Sequence, residues 1–155
     1  MGRPMRPVVR TLSFVVPGKP QPKERPRVAR GRAYTPKRTS RYEGLVALTA
    51  RMAMAQSGNP APFEGPVGLR LTVLLPRPHK IGRSHVLYGR QGRVHTGAGG
   101  SLPDLSNVCK AVEDGLNGVL FQDDSQVCHL EAHKCYAGED EEAGVLVDAW
   151  TFQGQ

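Results

Sequence analysis

Between Pro103 and Gln126 the chain sets out side chains suited to a hydrolytic metal centre. Asp104 opens a helical pattern, Lys110 follows within it, Glu113 and Asp114 come next, and a turn then delivers Asp123 and Asp124. The surrounding protein carries 21 Lys and Arg against 14 Asp and Glu, a net charge of +7. Acids gathered in a basic protein oppose the field that draws in a polyanion, so they need a reason. A divalent cation at a phosphodiester-cleaving centre is such a reason. Hard carboxylate oxygens hold the metal and leave positions for water and phosphate, while a nearby cation steadies charge on the leaving oxygens.

Each of these residues also has a plainer role open to it. Asp104 suits a helix N-cap as well as a metal. Paired acids in a turn, such as Asp123-Asp124, are often only solvated, and Lys110 is either a surface charge or the cation of the site. Cys128, His129, His133 and Cys135 invite a zinc reading. Strand alternation turns Cys128 away from the other three, so zinc is not expected. No glycine-rich phosphate loop follows a strand, and no serine or cysteine nucleophile has a convincing partner.

The elements that must position these residues are legible from periodicity and punctuation. Residues 1–10 read as a loose basic arm, and 11–16 as a short strand ending at Pro17-Gly18. Lys19, Lys23, Arg25 and Arg27 follow on a segment whose prolines hold it extended, displaying them to a phosphate backbone. Val28 to Tyr34 predicts a short hairpin around Gly31. Ser40 to Glu43 has the capping-box spacing for a helix to about Gln56, with Leu45, Leu48, Thr49 and Met52 as its apolar face. Val67 to Leu75 alternates as a strand. Residues 76–102 form a long basic loop, either functional or merely solvated. A second helix runs from Asp104 to about Asn117. Strands over 126–136 and 145–152 come next, and the acidic turn between them predicts a hairpin. The order predicts one α+β domain over 11–155, a small mixed sheet with two main helices packed on one face. The length of 155 residues suits one core. With no membrane-spanning run, no signal segment and an odd three cysteines, the expected setting is cytoplasmic, without a membrane partner.

The stretch resembles the RusA family of Holliday-junction resolvases. That family's pattern runs roughly K-P-D-x-D-N, a lysine on the ensuing helix, D-A-L-x-G, then Y-x-D-D-x-Q. The counterparts here are Pro103-Asp104-Leu105-Ser106-Asn107, Lys110, the run from Asp114 to Gly118, and Phe121 through Asp123-Asp124 to Gln126. Phe14 to Pro20 and Pro22 to Arg27 also resemble the family's opening. The resemblance implies a homodimeric endonuclease, bacterial or from a phage or prophage, that acts on branched four-way DNA. Its cofactor would be Mg²⁺, with Mn²⁺ as a substitute and no small-molecule cofactor. It further implies Asp104 and Asp124 as metal ligands beside Asp123, and Lys110 as the catalytic cation. Lys134 stands where the family often carries a lysine.

One position departs from the pattern. Ser106 stands where the family has its second aspartate, and a neutral hydroxyl is a poor Mg²⁺ ligand. Glu113 returns close to the same helix face and is the candidate replacement. The alternatives are a catalytically weakened junction-binding protein of the same fold, or a non-catalytic nucleic-acid-binding module.

Overall fold

The computed structural model describes residues 8–77 and 102–152. Most of the basic segment expected over 76–102, and the first seven residues of the expected arm, lie outside them. Four strands, β1 (Val8–Pro17), β4 (Val67–Leu75), β5 (Val127–Tyr136) and β6 (Gly144–Phe152), form one sheet in the order β1-β6-β4-β5. β6 runs antiparallel to β1 and β4, while β4 and β5 are parallel, so the sheet is mixed. Two helices, α1 (Lys37–Gln56) and α2 (Leu105–Leu116), pack on one face of it. The chain is thus a mixed α+β protein.

Alternation along the strands builds the core. Leu69, Leu71, Val73 and Leu75 of β4 point to the helices beside Val145, Val147 and Ala149 of β6 and Leu12 and Val16 of β1. α1 meets them with Tyr42, Val46, Ala50 and Met54, and α2 with Val108, Val112 and Leu116. The helices come close at Gly115. A Cβ there would lie 2.7 Å from Cβ of Val46 and 2.9 Å from the carbonyl of Glu43. On the opposite sheet face Gly68 lies under the Trp150 indole, and Leu74, Cys135 and Ala137 make a small second cluster.

A separate two-stranded ribbon, β2 (Arg27–Ala29) with β3 (Arg32–Tyr34), confirms the short hairpin around Gly31. Its turn residues Arg30 and Gly31 both have positive φ, 51° and 74°, as a tight hairpin twist demands. Every residue of the two strands is exposed.

Four expectations need correction. β5 and β6 are not a hairpin: β4 lies between them, because β5 pairs parallel to β4 and β6 fills the gap between β4 and β1. The acidic stretch after Tyr136 therefore carries a crossover rather than a tight reversal. The capping box at Ser40 is not formed. α1 starts a turn earlier with Pro36 as its cap, and the Ser40 amide already donates to the Pro36 carbonyl. Tertiary contact replaces local capping, since buried Thr39 accepts the Glu24 amide and Glu43 turns to Lys23. Leu48 and Met52 are exposed, and the core stripe instead runs through Thr39, Tyr42, Val46, Ala50 and Met54. Finally, Val8 to Arg10 belong to β1 rather than to a free arm. The Arg10 guanidinium donates to the carbonyls of Asn59 and Ala61 and lies 4.1 Å from the Phe63 ring centre.

Candidate active site

Asp104 caps α2. Its Oδ1 accepts the Ser106 amide at 3.3 Å and the Ser106 hydroxyl at 3.1 Å. The carboxylate is exposed and keeps free lone pairs, so capping does not use it up. One residue earlier, the Pro103 carbonyl accepts a hydrogen bond from Lys134 Nζ at 3.1 Å. Lys134 is half-buried on β5, so it ties the start of α2 to the sheet while its ammonium keeps two further donors.

The acid turn is built with equal care at the other end of α2. Gly118, at φ 78°, reverses the chain, and Leu120 and Phe121 drop into the core. Phe63 joins them, its amide donating to the Leu120 carbonyl at 2.6 Å. Gln126 then pins the turn with all of its amide capacity. Its Oε1 accepts the amides of Gln122 and Asp123 at 2.9 and 3.1 Å, and its Nε2 donates to the carbonyls of Phe63 and Gly65, both at 3.0 Å. Asp123 and Asp124 are thereby held at the start of a short 3₁₀ turn (Asp124–Gln126) that leads into β5.

The two aspartates differ. A hydrogen bond from the Ser125 hydroxyl, at 2.9 Å, and the shared contact with Asp124 hold Asp123 below the usual carboxylate range. Asp124 is pushed above it, first by its hydrogen bond with Asp123 and then by the surrounding negative charge, against which Lys110 acts. Glu113, half-buried in α2, is raised as well. Burial contributes most, followed by Asp124 and Asp114, again with Lys110 opposing. The structure therefore brings Glu113, Asp114, Asp124 and Lys110 into one electrostatic group. Glu113 feels the charge of Asp124 and Asp114, while the Ser106 hydroxyl donates to Asp104.

Lys23 is not displayed to solvent as the prolines around it suggested. Its ammonium bridges Glu43 of α1 at 2.8 Å and Asp114 of α2 at 2.6 Å, with only 19% of its side chain exposed. Burial alone lowers its pKa, but the two carboxylates together outweigh that and raise it. The Lys23 amide also donates to the Asn107 carbonyl at 2.9 Å, so this residue clamps the extended segment across both helices. Lys19 and Arg25 are exposed, and so is Arg27, which lies 3.6 Å from Glu24.

Sequence reasoning missed Gln126 as a staple and Glu43 as a partner. The spacing Asp123-x-x-Gln126 was a usable signal for the first, being a capping box, and the turn does form one. Nothing local marks Glu43.

Among the described residues no three His, Cys, Asp or Glu side chains form a ready-made metal cage. The donor chemistry nevertheless suits a hard divalent cation. Asp124 and Glu113 supply carboxylate oxygens, and their mutual repulsion is the electrostatic condition that such a cation relieves.

Residues 17–148 match the family model of the endodeoxyribonuclease RusA, and the chain belongs to that family. It is also 29% identical over 134 residues to the uncharacterized protein YqaN of Bacillus subtilis (strain 168), covering 83% of this chain and 89% of that one.

Proposed function

We propose that this protein is a Mg²⁺-dependent, structure-selective endodeoxyribonuclease that cuts four-way DNA junctions as a homodimer. The observation that carries the reading is the match of residues 17–148 to the endodeoxyribonuclease RusA family, together with Asp104 exposed at the head of α2 and the Asp123-Asp124 turn pinned by Gln126. Asp124 and Glu113 would hold the metal, with Asp104 and Asp123 as the further carboxylates of the site. When bound, the metal supplies Lewis-acid polarisation of the phosphodiester and an acidified water.

The chain's own residues do the rest. Lys110 steadies negative charge on the phosphoryl oxygens. Gln126 and the Phe63–Leu120 contact keep the acid turn rigid, and Lys134 keeps Asp104 at the head of α2. Arg25, Arg27, Arg30 and Arg32 on and before the exposed ribbon draw in the polyanion. A homodimer suits this substrate because a four-way junction offers two symmetry-related strands to two equivalent sites.

Labelled four-way junctions and linear duplex, each incubated with Mg²⁺ and with Ca²⁺, test the reading. Cleavage of the junction alone, lost in Asp104→Asn, Asp124→Asn and Lys110→Ala while junction binding persists, is the expected result. Wild-type rates in Asp124→Asn would remove the metal assignment. Binding without cleavage in the wild type would favour the junction-binding alternative, for which the serine at position 106 is the specific motive.

A further inference from the structure

Away from the acid group, the extended segment and the first turns of α1 flank a shallow, open groove of about 350 Å³. It is lined by Lys19, Gln21, Arg38, Arg41, Tyr42 and Leu45. Three of these six side chains are cations and none is an acid. The first turn of α1 is also unusual in its charge. It holds Lys37 and Arg38, no acid, and a proline cap that makes no side-chain hydrogen bond. Cations at a helix N-terminus oppose the macrodipole, and the same end attracts an anion. Tyr42 adds an independent sign. It is 5% exposed, and among the described residues its hydroxyl is a buried polar atom with no hydrogen-bond partner. Such a group is costly to leave unsatisfied. Burial raises its pKa, so the phenol keeps its proton and remains a donor.

We propose that this groove binds a backbone phosphate of the DNA substrate, with Lys19, Arg38 and Arg41 holding the anion and the Tyr42 hydroxyl, sealed beneath them in the free protein, gaining its partner as these side chains move onto the phosphate. The proposal rests on the reading above that the chain engages DNA, but it concerns residues outside the acid group. The groove exceeds the size of a phosphate, which leaves room for the attached sugar beside Leu45 and Gln21. Lys19 reaches it from the proline-held segment and the two arginines from α1. The Lys23 clamp fixes the geometry between those walls.

Fluorescence anisotropy of a labelled four-way junction, with Ca²⁺ in place of Mg²⁺ and across a salt series, tests this. Arg38→Gln/Arg41→Gln is expected to weaken binding about tenfold or more and to lower the magnitude of the log–log salt slope by about 1. Tyr42→Phe is expected to weaken binding several-fold with the slope unchanged, while the melting temperature of the free protein holds or rises because an unsatisfied hydroxyl is gone. A structural hydroxyl would instead lower the melting temperature and leave affinity alone, which would overturn its part.

Unchanged affinity and slope in the double arginine variant would overturn the site while leaving the nuclease reading intact. If the wild type bound no junction, the functional reading itself would fail. Thermal shifts with inorganic phosphate, against chloride at equal ionic strength, separate the two sources of the anion. Stabilisation by phosphate that vanishes in the arginine variant, without any effect of that variant on junction binding, would assign the groove to a free phosphate and overturn the DNA contact.

Discussion

Glu113 shows how a single side chain reports on the charge around it. Its carboxyl binds a proton more tightly in the folded protein than in the unfolded chain. The folded state is therefore favoured below the ordinary glutamate range, about pH 4.3, and loses that advantage as pH rises through the raised folded value. Glu113→Gln should accordingly raise the melting temperature near neutral pH without divalent cation, by roughly 1–3 °C, and change it little at about pH 3.5. Differential scanning calorimetry at the two pH values decides; an equal shift at both would detach the effect from ionisation. Lys23 has the same sign of linkage but in a far higher pH window, so at neutral pH it stabilises the fold. Its raised pKa stabilises the fold fully below the ordinary lysine range, and that contribution is lost only as pH climbs through the folded value. Lys23→Ala strands two half-buried carboxylates and should cost about 1–3 kcal/mol in denaturant unfolding at neutral pH. Arg25→Ala/Arg27→Ala, by contrast, should flatten the salt slope of junction binding without that loss of stability. The sequence carried the residue types of the acid group but not its pairings. Both Glu113 with Asp124 and Lys23 with Glu43 and Asp114 depend on how two helices meet, which no spacing along the chain encodes.

At the level of elements, α2 and the turn after it form the unit that delivers the acids, and its fit against α1 depends on Gly115. Alanine is the better helix former by about 1 kcal/mol, yet a Cβ at this position meets Val46 and the Glu43 carbonyl. Gly115→Ala should therefore destabilise, by roughly 1–3 kcal/mol as overpacking does, and shift Asp114 away from Lys23. Urea unfolding measures the first effect, and a rise in the Mg²⁺ concentration needed for half-maximal cleavage measures the second. A stabilised Gly115→Ala variant would mean that the helices can separate without consequence. α2 was readable because Asp104, the 3.6-residue apolar repeat and Asn117-Gly118 all agreed on its limits. α1 was misread at both its start and its face. Its stripe uses Thr39 and Ala50, residues of little hydrophobic weight, while the more apolar Leu48 and Met52 lie outside. The cause is tertiary: the Lys23–Glu43 bridge and the Thr39 contact with Glu24 set which side of α1 turns to the sheet.

For the molecule as a whole, the class and order of elements followed from periodicity, while the neighbour relations of the strands did not. Hydrophobic alternation tells which residues face a core but not which strand lies alongside, and so β5 and β6 read as a hairpin although β4 separates them. The net charge of +7 is similarly a property of the sum, concentrated where the ribbon and α1 expose arginines. The position of β6 reaches furthest, because it sets the order in which the protein can come into being. Thr11 pairs with Trp150 and Val67 with Thr151, so the strand that joins β1 to the rest of the sheet is the last of the four to leave the ribosome. Until residues 144–152 have emerged, β1 and β4 each lack their shared neighbour and the core beneath the helices stays open. A chain still being translated thus holds its basic ribbon and its acids without the sheet that brings them into register, and that sheet closes only once β6 has been made.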